Sequence, residues 1–200
     1  MAITGGIGSG KSYVCRLLEE RGIPVFYTDD EAKEEMRHNE RIHAELRALI
    51  GNDVIDAQGR LVKALIADFI CGNDANARAV NQIVHPRVRE RMHRWLDNAS
   101  SKQCSGTSGL SLVAVECALL FEAGWEGDVD KVITVAAPES VRLHRIMQRD
   151  HISESKAREW IRLQMSQEEK IRRSHFVIIN DGVADLQNQI DEILNRIGAE

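Results

Sequence analysis

The chain has 200 residues, 43% of them hydrophobic and 28% charged, with a formal net charge of −5. That balance suits an ordinary globular α/β domain with a sizeable core and a modest insertion, and it excludes a disordered or fibrous chain. A net negative charge gives no global field for nucleic acid, and no apolar run approaches the roughly 20 residues needed to span a bilayer.

Ala2, Ile3 and Thr4 form a short apolar stub, read as the end of a first strand. It leads into Gly5-Gly6-Ile7-Gly8-Ser9-Gly10-Lys11-Ser12, which is G-x-x-x-x-G-K-[ST]. Glycines with φ > 0 let successive backbone N–H groups turn toward one anion. A lysine in this pattern supplies positive charge to β- and γ-phosphates, and the serine hydroxyl serves Mg²⁺. The helix read from "SYVCRLLEERG" has Val14, Leu17 and Leu18 at helical spacing and aims its positive dipole end at the same phosphates. Gly8, Ser9, Gly10, Lys11, Ser12 and Tyr13 are therefore the candidate nucleotide-binding residues, with Lys11 also catalytic. The bland alternative is a glycine turn before a helix, but the strand–loop–helix setting favours nucleotide binding. With this loop at the start, no room is expected for a cleaved leader, and a cytoplasmic location is the default.

A second strand is expected at Ile23 to Tyr27, ending in Thr28, Asp29 and Asp30. A carboxylate there suits a base that takes a proton from a substrate hydroxyl, and equally suits the N-cap of the next helix. One long helical stretch, "DEAKEEMRHNERIHAELRALIG", follows. After a polar turn in "DVIDAQGRL", helical spacing resumes at "VKALIADFICG" and continues on either side of Pro86. Residues 30 to 98 thus read as a helical insertion. Residues 100 to 109, "SSKQCSGTSG", read as a connecting loop.

"LSLVAVE", "KVITVAA" and "FVIIN" are apolar runs of the kind a buried parallel sheet uses. Glu116 ends the first of these, where an acid commonly holds Mg²⁺ or its water; a solvated strand end is the alternative. Glu122, soon after, reads as structural or as facing the substrate. Two basic helices are expected between the last two strands, broken near "RDHIS", with Arg142, Arg145 and Arg149 on one face. These arginines suit a lid that stabilises a transferring phosphoryl group, or else a solvated face paired with Glu139 or Asp150. An amphipathic helix from Val183 to Ile197 closes the chain. The four scattered cysteines, Cys15, Cys71, Cys104 and Cys117, lack C-x-x-C pairs and read as reduced, mostly buried thiols. Trp95, Trp125 and Trp160 read as packing residues, and His85 on its own as structural.

Taken together, these segments resemble the dephospho-CoA kinase family from end to end. Thr4 to Ser12 matches T-G-G-I-G-S-G-K-[ST] without a gap. "YTD" stands for a D-A-D strand end, placing the second aspartate at Asp29 and Tyr27 where the first would be. "VNQIVHP" supplies Asn81, His85 and Pro86, and "ECALLFE" resembles D-x-P-L-L-F-E with Glu116 and Ala118 as departures. "RLHRIMQRD" supplies Arg142, Arg145, Arg149 and Asp150; "LQM" supplies Gln164, with Trp160 where an arginine is common. "VIINDG" supplies Asn180, near the expected adenine.

The resemblance implies a P-loop NTPase-type three-layer α/β fold with a central, mostly parallel five-stranded sheet. It implies a nucleotide-binding core at 1–29 and 110–200, a lid within about 139–170, and a helical CoA-binding insertion at 30–100. It further implies transfer of the ATP γ-phosphoryl to the ribose 3′-hydroxyl of dephospho-CoA, the final step of coenzyme A synthesis. In that reading Lys11, Asp29, Arg145 and Arg149 are catalytic, Asn180 joins the nucleotide site, and Asp29, Asn81 and His85 bind the acceptor. Ser12 and Glu116 hold Mg²⁺, directly or through water. The implied partners are ATP and dephospho-CoA, with no nucleic acid and no membrane; oligomeric state is left open, a monomer being favoured. The alternatives are another small-molecule kinase, such as one for nucleoside monophosphates, and a regulatory nucleotide switch. The latter needs an N/T-K-x-D segment that this chain lacks.

Overall fold

The computed structural model describes residues 1–103 and 112–199. Five short strands build one sheet in the order β2-β3-β1-β4-β5. They are β1 (Ala2–Thr4), β2 (Val25–Tyr27), β3 (Ala114–Glu116), β4 (Val132–Ala136) and β5 (Phe176–Ile179). β1 lies parallel to both β3 and β4, with Ala2 opposite Val115 and Val132, and β4 lies parallel to β5. Every residue of β1, β3 and β4 is buried, which is why these segments read as continuous apolar runs rather than alternating ones.

Neighbouring residues of β4 show that helices cover both faces of the sheet. Ile133 meets Leu18 of α1 (Lys11–Glu19) and Ile190 and Ile193 of α9 (Leu186–Gly198) around a small apolar space. Thr134 points the other way, its Oγ1 2.6 Å from the Ser174 hydroxyl at the end of α8 (Gln167–Arg173). Adjacent side chains on a strand face opposite sides, so α1 and α9 cover one face and α8 the other. Because β1, β3 and β4 are parallel, the glycine loop after β1, Glu116 at the end of β3 and the segment after β4 share one edge of the sheet.

The chain forms two compact units, one of Met1–Phe26 with Ala99–Glu200, the other of Tyr27–Asn98. The second is helical: α2 (Thr28–His38), α3 (Glu40–Ile50), α4 (Lys63–Gly72) and most of α5 (Asp74–Gln103). Arg91 ties α5 to α2 within it through Glu31 and Glu35, at 2.6 and 3.0 Å.

Several expectations need correcting. The single helix after Asp30 is two helices, because Asn39 leaves helical geometry and its side chain accepts the N–H groups of Arg41 and Ile42 as the N-cap of α3. α5 runs unbroken through Pro86, an exposed position, although the proline removes one helical hydrogen bond there. Residues 100–103 of the expected connector continue α5, and residues 104–111, including Cys104, lie outside the described residues. The two basic helices are three: α6 (Glu139–Asp150), α7 (Glu154–Arg162) and α8. Ser153 and Ser166 cap the second and third through the N–H groups of Lys156 and Glu169. His151, with φ of 53°, terminates α6 in the left-handed region. Val183 stands 91% exposed, outside the apolar face of α9, which starts at Leu186 behind an Asp185 cap.

Candidate active site

The loop between β1 and α1 is built by its glycines. Gly10 sits at φ 92° as the N-cap residue of α1 and provides no side-chain cap, so the first N–H groups of that helix remain open to an anion. A Cβ on Gly10 would strike Asn180 Nδ2, so any other residue here would displace the side chain that braces the loop. Gly8, at φ 78°, leaves room for the backbone of Arg142 in α6, whose carbonyl oxygen would lie 2.7 Å from a Cβ. Lys11 is buried, its Nζ 3.5 Å from Gly6 O and 3.9 Å from a Glu116 carboxylate oxygen. Ser12 and Tyr13 are exposed on the first turn of α1, beside the open amides.

The other walls of the loop come from α6 and β5. Asn180, 7% exposed, donates from Nδ2 to Ser9 O at 2.8 Å. Arg145 donates to Gly8 O, Ser9 O, Asn180 O and Asn180 Oδ1 at 3.1–3.4 Å. Arg145 and Asn180 therefore clamp the outer turn of the loop together, using backbone carbonyls as acceptors. Arg149 lies elsewhere: its side chain is 61% exposed and pairs with Asp150 at 2.7 Å.

Arg142 differs from both. It is 7% exposed, its Nε is buried without a hydrogen-bond partner, and Nη1 presses on Gly6 so closely that a Cβ there would collide with it. Burial lowers its pKa, opposed by the charges of Glu139 and Glu168. With its Nε buried and unbonded and no ion pair among the described residues, this guanidinium would gain from an anion that arrives to pair with it. Gln164, between α7 and α8, approaches the same point and accepts the Ile7 N–H on its Oε1 at 2.7 Å. Ile7 itself packs on a small apolar cluster of Leu143, Ile146 and Ala157 with Trp160, so Trp160 serves packing where an arginine is common in the family. Sequence reading placed Arg142 with Arg145 and Arg149 on a stripe suited to the transferring phosphoryl group, without naming it among the catalytic residues. Lys170, which fills the space under the loop after β3, carried no sequence signal beyond one more charge in a basic run.

The proposed acceptor residues belong to the helical unit. β2 ends at Tyr27, α2 begins at Thr28, and Tyr27 occupies the N-cap position without a side-chain cap bond. Asp29 and Asp30 are thus first-turn residues of a helix, not a strand end and not caps. Three acids in that turn, Asp29, Asp30 and Glu31, favour the positive helix end and pull its start forward. Asp30 pairs with Lys33 at 2.7 Å, whereas the Asp29 carboxylate is felt by His85. Burial lowers the His85 pKa, and the Asp29 charge opposes that shift. Asn81 and His85 sit four residues apart on α5, hence on one face.

The donor set suits Mg²⁺. Ser12 and Glu116 offer hard oxygen ligands, and among the described residues no cluster of three or more His, Cys, Asp or Glu forms an all-protein cage. Among the described residues no helix is long and apolar enough to cross a membrane.

The chain also matches known proteins over nearly its whole length. The dephospho-CoA kinase family model matches residues 1–185. A dephospho-CoA kinase of Bacteroides fragilis is 41% identical over 194 residues, covering 97% of this chain and 90% of the relative. A solved Thermus thermophilus structure, TT1252, superposes with a TM-score of 0.80 at 32% identity, over 98% of this chain and 95% of that one. The structure of a Campylobacter jejuni dephospho-CoA kinase shares the fold at a TM-score of 0.70 and 21% identity, over 99% and 96% of the two chains.

Proposed function

The chain belongs to the dephospho-CoA kinase family, and from that premise we propose how its residues divide the transfer of the ATP γ-phosphoryl to the ribose 3′-hydroxyl of dephospho-CoA. The observation that carries the reading is Arg142: a buried arginine, its Nε without a hydrogen-bond partner, against a phosphate loop whose helix end is also open to an anion. The nucleoside monophosphate kinase alternative has no support in the family match.

Gly8, Gly10, Lys11 and Ser12 take the phosphates on backbone N–H groups, flanked by Ser9 and Tyr13, whose own N–H groups bond Gly6 O and Gly10 O, and the Lys11 ammonium serves the β/γ end. Arg142 supplies a second fixed charge at that end, in a site dry enough for it to act strongly on charge that develops during transfer. Arg145 and Asn180 keep the loop in the receiving shape; Asn180 thereby serves the nucleotide through Ser9 rather than by reading the base. Ser12 and Glu116 would hold Mg²⁺, which when bound neutralises phosphate charge.

The helical unit, with Asn81 and His85, binds the CoA moiety, and Asp29 accepts the proton of the attacking hydroxyl. What supports Asp29 over Asp30 is that Asp30 already holds Lys33. Residues within about 139–170, chiefly α6 and α7, act as the lid, and the enzyme works in the cytoplasm. The test is ADP release from Mg-ATP with dephospho-CoA, AMP, CMP or shikimate as acceptor. Turnover with dephospho-CoA at least tenfold above the others is expected, and preference for a nucleotide monophosphate would overturn the reading.

A further inference from the structure

Among the described residues, Lys170 is the largest fully buried side chain, and its ammonium has left water completely. Its three protons are all placed: Nζ donates to Ala118 O at 2.9 Å and to the two Glu122 carboxylate oxygens at 2.8 and 2.9 Å. Glu122 Oε1 also accepts the backbone N–H of Met165 at 2.8 Å. Met165 follows Gln164, whose Oε1 holds the Ile7 N–H of the phosphate loop. An unbroken series of contacts therefore runs from the end of β3, through Lys170 and Glu122, to the α7–α8 turn and back to the loop.

A buried ion pair is a poor way to gain stability, since an apolar pair of similar volume often serves as well or better. Its advantage is geometric: the carboxylate fixes one backbone amide, and the lysine fixes the carboxylate. Because Oε1 faces the Ile7 N–H, the Gln164 amide nitrogen faces away from it, and it makes no hydrogen bond among the described residues. Both Gln164 and Arg142 lie next to Gly6, the residue whose carbonyl is nearest Lys11 Nζ. Lys170 is also close enough to Lys11 for the two charges to oppose each other, so Glu122 shields the loop lysine from a second cation beneath it.

We propose that Lys170 and Glu122 are positioning residues for phosphoryl transfer, acting through the α7–α8 turn to hold Gln164 on the phosphate loop. The inference rests on the kinase reading above and adds residues that touch neither substrate. The experiment is a double-mutant cycle between Lys170→Met and Gln164→Ala in the full chain, reading kcat, both KM values and melting temperature. Each single variant is expected to lose about 10²-fold in kcat, the scale of an ångström-sized misplacement, with the KM for dephospho-CoA unchanged. Since Lys170 acts through Gln164, the double variant should be no slower than the slower single one. Lys170→Arg, which keeps the charge and can still pair with Glu122, should recover most of the rate.

Multiplied losses in the double variant would overturn the proposal. So would a Lys170→Met enzyme with a lowered melting temperature and wild-type kcat, the result for a lysine that only supports the fold. If Lys170→Met does not fold, Glu122→Gln replaces it in the cycle under the same criteria. Wild-type enzyme in the same assay separates the two readings: no turnover of dephospho-CoA would sink the kinase assignment, whereas normal turnover with an additive cycle sinks only this one.

Discussion

At the start of α6, Arg142 is 7% exposed, lacks a partner for its Nε and presses against Gly6 of the phosphate loop. Two turns later on the same face, Arg149 has a side chain 61% exposed and a carboxylate, Asp150, already bound at 2.7 Å. Arg145, between them, gives its donors to the carbonyls of Gly8, Ser9 and Asn180. One helical stripe thus contains a cation awaiting an anion, a cation that shapes the loop, and a cation neutralised in solvent. The electrostatic strength of an arginine depends on the water around it more than on its place in a motif, because screening removes most of the value of an exposed pair.

The scale for a cation at the loop is set by Lys11. Lys11→Ala removes charge from the β/γ end and should cut turnover about a thousandfold, roughly 4 kcal/mol of transition-state stabilisation. Near-normal turnover in a folded variant would take the loop out of the mechanism and leave the α6 comparison without a reference.

On the acceptor side, Asp29→Asn should lower kcat by about 10²–10³ with ATP affinity little changed, since it removes basicity and not phosphate binding. Asp30→Asn should be nearly silent. The same Asp29 variant has a second readout. The carboxylate opposes the burial that lowers the His85 pKa, so removing its charge should lower that pKa further, visible in a histidine titration by NMR. Unchanged turnover in Asp29→Asn would show that the carboxylate assists neither proton transfer nor orientation.

Arg142→Met directly probes the buried end of the stripe. Turnover should fall about 10- to 100-fold, with an unusual stability signature. Replacing a buried arginine whose Nε has no partner by an apolar chain should leave the melting temperature of the nucleotide-free protein unchanged or higher. The rise on adding excess ATP should shrink, because ligand stabilisation follows affinity. A lower melting temperature without nucleotide would mean that Arg142 supports the fold and is not waiting for a phosphate.

How much of this could be read beforehand depends on whether a signal is local. The glycine loop was legible because its chemistry is contiguous: Gly10, Lys11 and Ser12 state the turn, the charge and the hydroxyl in consecutive positions. The buried strands were legible because both faces are covered and the runs are unbroken. The break at "RDHIS", where Ser153 caps α7, was legible, but the helix boundaries at Asn39 and Ser166 were missed although each has a capping residue; "SQEE" even has the serine–glutamate spacing of a capping box, hidden in a charged run. Lys170 and Arg142 were not legible as special. Their burial is imposed by residues far away in sequence, Ala118 and Glu122 for one and Gly6 for the other. Spacing along α6 says that Arg142, Arg145 and Arg149 share a face, but not which end of that face meets the loop.

The exposed end should therefore show the smallest effect. Arg149 donates from Nε and Nη2 to Asp150, and these hydrogen bonds push its pKa up and that of Asp150 down, so both stay charged at neutral pH. Sequence reading placed Arg149 among the catalytic residues, and lid closure around ATP is the one event that could give it that role. To reach a phosphate it would have to leave Asp150 and lose hydration at the same time, gaining only the difference between two anions. Arg149→Ala is accordingly expected to change kcat by no more than about threefold and melting temperature hardly at all, in keeping with an exposed ion pair. Raising the salt concentration should narrow even that difference, since screened charges are the first to be lost. A loss above tenfold that persists in high salt would place Arg149 in a dry, closed site with the phosphates. The contrast between the two ends of α6 would then belong to the open enzyme alone, and the closed one would use the whole stripe.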